Sequence, residues 1–162
     1  MDGGDERNFN LATLHQYDAV FLGVSPTSVD TSALTQYVQS GGCVYLCAGS
    51  GGPSVAANAW NTFLGAFGLS YVSVYNHLNG VRPISSAHPL FAGVASLYEA
   101  KGDSIALAGA PNPDAQILVA TGAQGLYAAY DGRPAAPTAH STAKLNSLGC
   151  TPSIGSSGYA SV

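Results

Sequence analysis

The stretch 41–52, GGCVYLCAGSGG, limits what this chain can fold into more than any other. Two glycines stop whatever helix precedes them. Cys43-Val44-Tyr45-Leu46-Cys47-Ala48 is then a nearly continuous apolar run of strand length, the pattern of a strand covered on both faces. A second glycine cluster, Gly49-Ser50-Gly51-Gly52, follows, and a helical pattern begins after it. A buried parallel strand that ends in a glycine turn at a helix N-terminus is where open α/β sheets usually hold ligands. Gly49, Gly51 and Gly52 are therefore candidate ligand-binding positions, with Ser50 among them.

The flanking sequence extends this into a unit. Residues 1–10 are polar and fray, and 11–16 predict a short helical turn. Residues 17–23, YDAVFLG, predict a first buried strand, closed by Gly23 and the Ser25-Pro26-Thr27 loop. Asp30 or Thr31 caps a helix whose apolar residues Leu34, Tyr37 and Val38 recur at three and four. Strand, helix, strand in this order favours a right-handed crossover and a parallel sheet. Pro53 and Ser54 open a second helix with a broad stripe of Val55, Ala56, Ala59, Trp60, Phe63, Leu64 and Phe67, ended by Gly68. At that spacing Trp60 belongs to the core rather than to a ligand platform. A strand over 69–75, a turn over 76–80, a loop with one helical turn over 86–94, and strands over 104–108, 116–120 and 125–130 complete the pattern. From Arg133 the chain is rich in Pro, Ala, Ser, Thr and Gly. Residues 1–132 are thus expected to form the domain, and 133–162 a flexible tail or the start of another module.

Composition narrows the function classes. Charged residues make up 9% of the chain, with five basic against nine acidic side chains and no basic cluster, which argues against nucleic acid as a partner. No apolar stretch approaches membrane-spanning length and the N-terminus has no signal-peptide pattern, so the chain is intracellular or its export signal lies outside these residues. Cys43 and Cys47, four apart on one strand, lie roughly 13 Å apart at about 3.3 Å per residue and cannot bridge each other. Buried thiols are the expectation for both; no zinc-ligand spacing is present. Gly49 to Gly52 lacks both Gly-Lys-Ser/Thr and a spaced Gly-x-Gly-x-x-Gly, so no nucleotide cofactor is implied.

Three motifs in order, Tyr17-Asp18-Ala19-Val20-Phe21-Leu22, Tyr37-Val38-Gln39-Ser40-Gly41-Gly42 and His88-Pro89-Leu90-Phe91-Ala92-Gly93-Val94, resemble the class I glutamine-amidotransferase-like superfamily, above all its ThuA-like, non-amidotransferase branches. The resemblance covers roughly residues 11–130. It implies an α/β fold, a flavodoxin-like three-layer α/β/α sandwich with a mainly parallel central sheet. Members begin with a further strand and helix for which this chain has no room, so the resemblance implies a fragment without the first βα unit. The exposed apolar edge left behind predicts a homodimer or higher assembly. More faintly, residues 142–152, TAKLNSLGCTP, resemble the opening of a repeated C-terminal module of secreted bacterial proteins. There a cysteine commonly stands where this chain has Ser141, which would leave Cys150 without its partner and imply an exported parent protein.

Amidotransferases place a nucleophilic cysteine on a sharp strand-to-helix turn between small residues. Cys47 has Gly49 two residues on, but bulky Tyr45 two before. Ser50, between Ala48 and Gly52, satisfies the small-x-nucleophile-x-small rule and is the better geometric candidate. A serine nucleophile needs a base and a group to orient it. His88 would be the base, with Glu99 or Asp103 behind it; Asp30 and His77 are the remaining acid and histidine considered. His88-Pro89-Leu90 lacks the acid of the amidotransferase His-Pro-Glu and comes too early in the chain. The bland alternatives are a serine in a turn and a histidine that fixes a loop. Tyr75, Asn76 and His77, with Asn79 and Arg82, form an aromatic, polar loop suited to a small-molecule or carbohydrate ligand, or simply a solvated turn. The expectation is therefore a catalytically degenerate amidotransferase-like domain serving as a binding or scaffold module. A small serine hydrolase of the esterase or amidase type built on Ser50 is the alternative, and a structural fragment of a larger secreted protein the third reading.

Overall fold

The computed structural model describes residues 9–23, 30–48, 52 and 54–132, together with the backbone of 153–157. Its elements in chain order are α1 (Leu11–Leu14), β1 (Ala19–Leu22), α2 (Thr31–Gln39), β2 (Cys43–Ala48), α3 (Val55–Gly65), β3 (Leu69–Tyr75), β4 (Asn79–Pro83), a 3-10 turn (Pro89–Phe91), β5 (Ser96–Ala100), β6 (Asp103–Leu107), β7 (Ala115–Thr121), β8 (Gln124–Tyr130) and β9 (Ser153–Ser157).

Local chemistry explains the helical half. The Asp30 carboxylate accepts the Ser32 N–H (2.9 Å) and starts α2. Leu34, Tyr37 and Val38 turn the helix onto the sheet, all at most 2% exposed. Gly42 allows the tight return into β2, because a side chain there would strike the Tyr37 ring. In α3, Trp60, Phe63 and Leu64 are sealed in the core with Phe67; burying such side chains stabilises by ~2–3 kcal/mol each. Gly68, at φ +77°, reverses the chain into β3, and Asn112 donates its amide to the Phe67 carbonyl (3.1 Å). The facing residues of the strands are Val44, Leu46, Leu69, Tyr71, Ile105 and Ala128.

The sheet overturns the expected flavodoxin-like three-layer α/β/α sandwich with its mainly parallel centre. The order is β1-β2-β9-β8-β6-β3, with β7 also paired to β8. β1 and β2 run parallel, Ala19 opposite Cys43 through Leu22 opposite Leu46, and β2 and β9 are parallel. The β3–β6, β6–β8, β7–β8 and β8–β9 pairs are all antiparallel. A second, two-stranded antiparallel sheet joins β4 to β5. The reason lies in the connections. Parallel neighbours need a crossover of a dozen residues or more, usually a helix, and the chain provides such helices only before β3. Beyond it no described α-helix joins the strands, and β7 turns directly into β8 at Gly122, φ +60°.

Other expectations need adjustment. β1 is a half-exposed edge rather than a buried strand, with Phe21 75% exposed. Residues 79–83 and 96–100, where the sequence predicts only the turn over 76–80 and no strand, are the β4–β5 hairpin. The backbone of Ser153–Ser157, in a stretch with no expected strand, lies between β2 and β8. Cys43 is disulfide-bonded rather than a thiol, whereas Cys47 keeps its thiol.

Candidate functional site

The alternation along β2 creates the site. Val44 and Leu46 point into the helix-covered core, so Tyr45 and Cys47 take the opposite face. Tyr127 on β8 does the same, since its neighbour Ala128 belongs to the core. Over this far face the 3-10 turn brings Phe91, whose ring meets Tyr127 edge-on at 5.6 Å. Glu99 of β5, wholly buried, pairs with the Tyr127 hydroxyl. Burial above all, then the bond to Glu99 and the charges of Glu99, Tyr45 and Cys47, hold the Tyr127 phenol far above its ordinary range. It stays protonated and donates.

Tyr71 joins the two halves. It is 2% exposed, and its hydroxyl donates to the Leu46 carbonyl at 3.2 Å. Burial raises it well above a normal tyrosine, and the charges of Cys47, Tyr45 and Asp103 add to the effect. Asp103, which opens β6 opposite Tyr75, is fully buried. Neither carboxylate oxygen has a hydrogen-bond partner among the described residues, and desolvation pushes the carboxyl up to about 6. Three sequence candidates, Cys47, Glu99 and Asp103, therefore share one electrostatic neighbourhood, linked by Tyr45, Tyr71 and Tyr127.

The remaining candidates are placed differently. Ser50, Gly49 and Gly51 lie outside the described residues. The Gly52 carbonyl accepts the Val55 N–H at the start of α3. Asp30 caps α2. His88 caps the 3-10 turn, its Nδ1 accepting the Leu90 N–H (3.3 Å) while its backbone N–H donates to Ser86 Oγ (3.3 Å). Tyr75 ends β3. Asn76, 3% exposed, holds a turn: its carbonyl side chain accepts the Leu78 N–H (2.9 Å) and its backbone N–H donates to Gly102. His77 takes φ +57° in that turn. Among the described residues no group of three or more His, Cys, Asp or Glu is arranged to hold a metal ion.

The sequence reading missed the tyrosines. Tyr45 was legible, because it lies two residues from Cys47 on a strand and must share its face. Tyr71 and Tyr127 come from strands distant in sequence, and only their pairing brings them in. Chemically the set is a collection of protonated hydroxyls already committed to Leu46 and Glu99, beside a thiol and a sealed carboxyl.

No family model matches the chain, and no curated protein matches it. Among solved structures it is similar to the mmIFT52 N-terminal domain at 16% identity and a TM-score of 0.56, over 77% of this chain and 64% of that one. It is also similar to a ThuA-like protein from Bacteroides uniformis at 17% identity and a TM-score of 0.48, over 74% of this chain and 58% of that one. The chain spans less than two thirds of the length of either structure. A solved ThuA-like protein is thus among its structural neighbours, and the mmIFT52 likeness establishes a shared fold and nothing about chemistry.

Proposed function

We propose that this chain is a catalytically degenerate binding or scaffold module with a distant kinship to the ThuA-like branch of the glutamine-amidotransferase-like superfamily. The kinship is supported by the ordered motifs around Tyr17-Asp18, Tyr37 to Gly42 and His88 to Val94. One observation carries the functional reading: His88 and Glu99 are engaged elsewhere, and Asp103 is sealed in the interior. His88 Nδ1 accepts a backbone N–H that caps its own turn. Glu99 is tied to Tyr127, and Asp103 is shut off from water. A triad needs Nδ1 as a donor to the orienting carboxylate, and a capping Nδ1 is an acceptor.

A panel of p-nitrophenyl esters and anilides tests this against a serine hydrolase. The expected result is turnover no faster than buffer for wild type, Ser50→Ala and His88→Ala alike. Hydrolysis by the wild type that both substitutions abolish would establish the hydrolase instead.

A further inference from the structure

We propose that the outer edge of β1 is a self-association surface, on which β1 of a second copy pairs antiparallel so that two main sheets become one. This deepens the reading as a binding or scaffold module by naming its partner. Among the described residues three strands of the main sheet pair on one side only: β1 with β2, β3 with β6 and β7 with β8. A free edge is a row of unmet main-chain donors and acceptors, which proteins usually blunt with a bulge, a charge, a proline or a covering group. β3 is blunted. Its register breaks between Tyr71 and Tyr75, and the Asn61 side chain takes both main-chain groups of Tyr71, at 2.8 and 3.0 Å. β7 is blunted by register breaks on either side of Val119. β1 has none of these devices. Its four residues match β2 without a break and include neither a charge nor a proline.

The occupant follows from the two faces of β1. Val20 and Leu22 are half-buried and pack on the core. Phe21 points the other way, 75% exposed, with the Tyr45 ring at 5.6 Å. Two copies related by a twofold axis normal to the sheet keep each face on its own side, and residues directly opposite must then share a face. The register centred on Phe21 meets that condition. Phe21 lies opposite its own counterpart, Val20 opposite Leu22 and Ala19 opposite Gly23, where nothing stands within 4 Å of a Cβ position. The face opposite the helices then carries a row of four rings, Tyr45 and Phe21 of each copy, and aromatic cross-strand pairs are favourable. Residues 19–23 hold no charged side chain, so the chain meets its own sequence without like-charge repulsion. A strand of different sequence has to match apolar residues on both faces at these positions, whereas a second copy does so by symmetry. Four residues a side bury less than a standard interface of about 1,200–2,000 Å², so the dimer is weak and depends on concentration.

Covalent trapping tests the register. Directly opposed Cα atoms of an antiparallel pair lie about 4.5–5.5 Å apart, within disulfide reach. Phe21→Cys is made in a full-length Cys47→Ala chain and oxidised beside Val74→Cys in the same background, Val74 being an exposed residue of blunted β3. The disulfide-linked dimer should form at least tenfold faster from Phe21→Cys. Equal rates, or no cross-link from Phe21→Cys, overturn the surface. Sedimentation velocity supplies the reading without cysteines. The average mass of the wild type should climb towards that of a dimer across a hundredfold concentration range, and Val74→Lys should follow it. Phe21→Lys, which leaves the core untouched, should stay monomeric with an unchanged circular dichroism spectrum. A wild type that is monomeric throughout, or Phe21→Lys that associates like it, overturns the proposal; if Phe21→Lys unfolds, the cross-linking rates decide. None of these measurements reads ester hydrolysis, so the degenerate-domain reading stands or falls separately.

Discussion

A carboxyl sealed away from water, as Asp103 is, ties folding to pH. Its folded value of about 6 exceeds the ordinary aspartate value, so the native state holds the proton more tightly than the unfolded chain. The contribution is complete below about pH 4, falls as pH rises through about 6, and is level above that. Two pK units correspond to about 2–3 kcal/mol. Asp103→Asn copies the protonated form, so it should match wild type near pH 4 and exceed it by about 2 kcal/mol near pH 8 in urea unfolding. A difference that stays constant with pH would mean that Asp103 is solvated. The cysteines give a second residue-scale prediction. Alkylation under denaturing, non-reducing conditions should label Cys47 and spare Cys43. The apolar run around them did not distinguish the two, because that difference depends on which distant residue reaches Cys43.

Elements are held by a few directional contacts. Asn61 on α3 bonds both backbone groups of Tyr71, accepting its N–H at 2.8 Å and donating to its carbonyl at 3.0 Å. Both bonds sit beside the irregular register between Tyr71 and Tyr75. Asn61→Ala should cost about 1–3 kcal/mol in thermal or denaturant unfolding, the range for leaving such groups unmade. The antiparallel half depends on Gly125. A side chain there would collide with the Ile105 carbonyl, the residue it faces in the β6–β8 pair. Gly125→Ala should lower stability by about 2–4 kcal/mol, and an unchanged denaturation midpoint would contradict the close approach. α2, β2 and α3 were legible because caps, glycine stops and apolar spacing act within a few residues. The β4–β5 hairpin was not, since its residues alternate only between exposed and half-buried along β4 and leave apolar Val81 and Tyr98 facing outward, so no apolar face marks it in the sequence.

At the scale of the molecule, β1 forms one edge of the main sheet and presents Phe21, its ring tilted against Tyr45 at 5.6 Å. The whole-molecule expectation that failed was the parallel α/β/α sandwich. The strand–helix–strand logic holds for β1, α2 and β2, which pair in parallel, and says nothing about strands that no helix joins. The sequence alone determined which residues form the helices and the central apolar strand, and that Trp60 and Phe63 are core, because these follow from periodicity and caps over short spans. Only the tertiary structure decided strand direction, the place of Ser153–Ser157 and the meeting of Cys47, Glu99 and Asp103 around Tyr71 and Tyr127. Each of those is a contact between distant segments, set by which backbone edges and buried faces must be satisfied together.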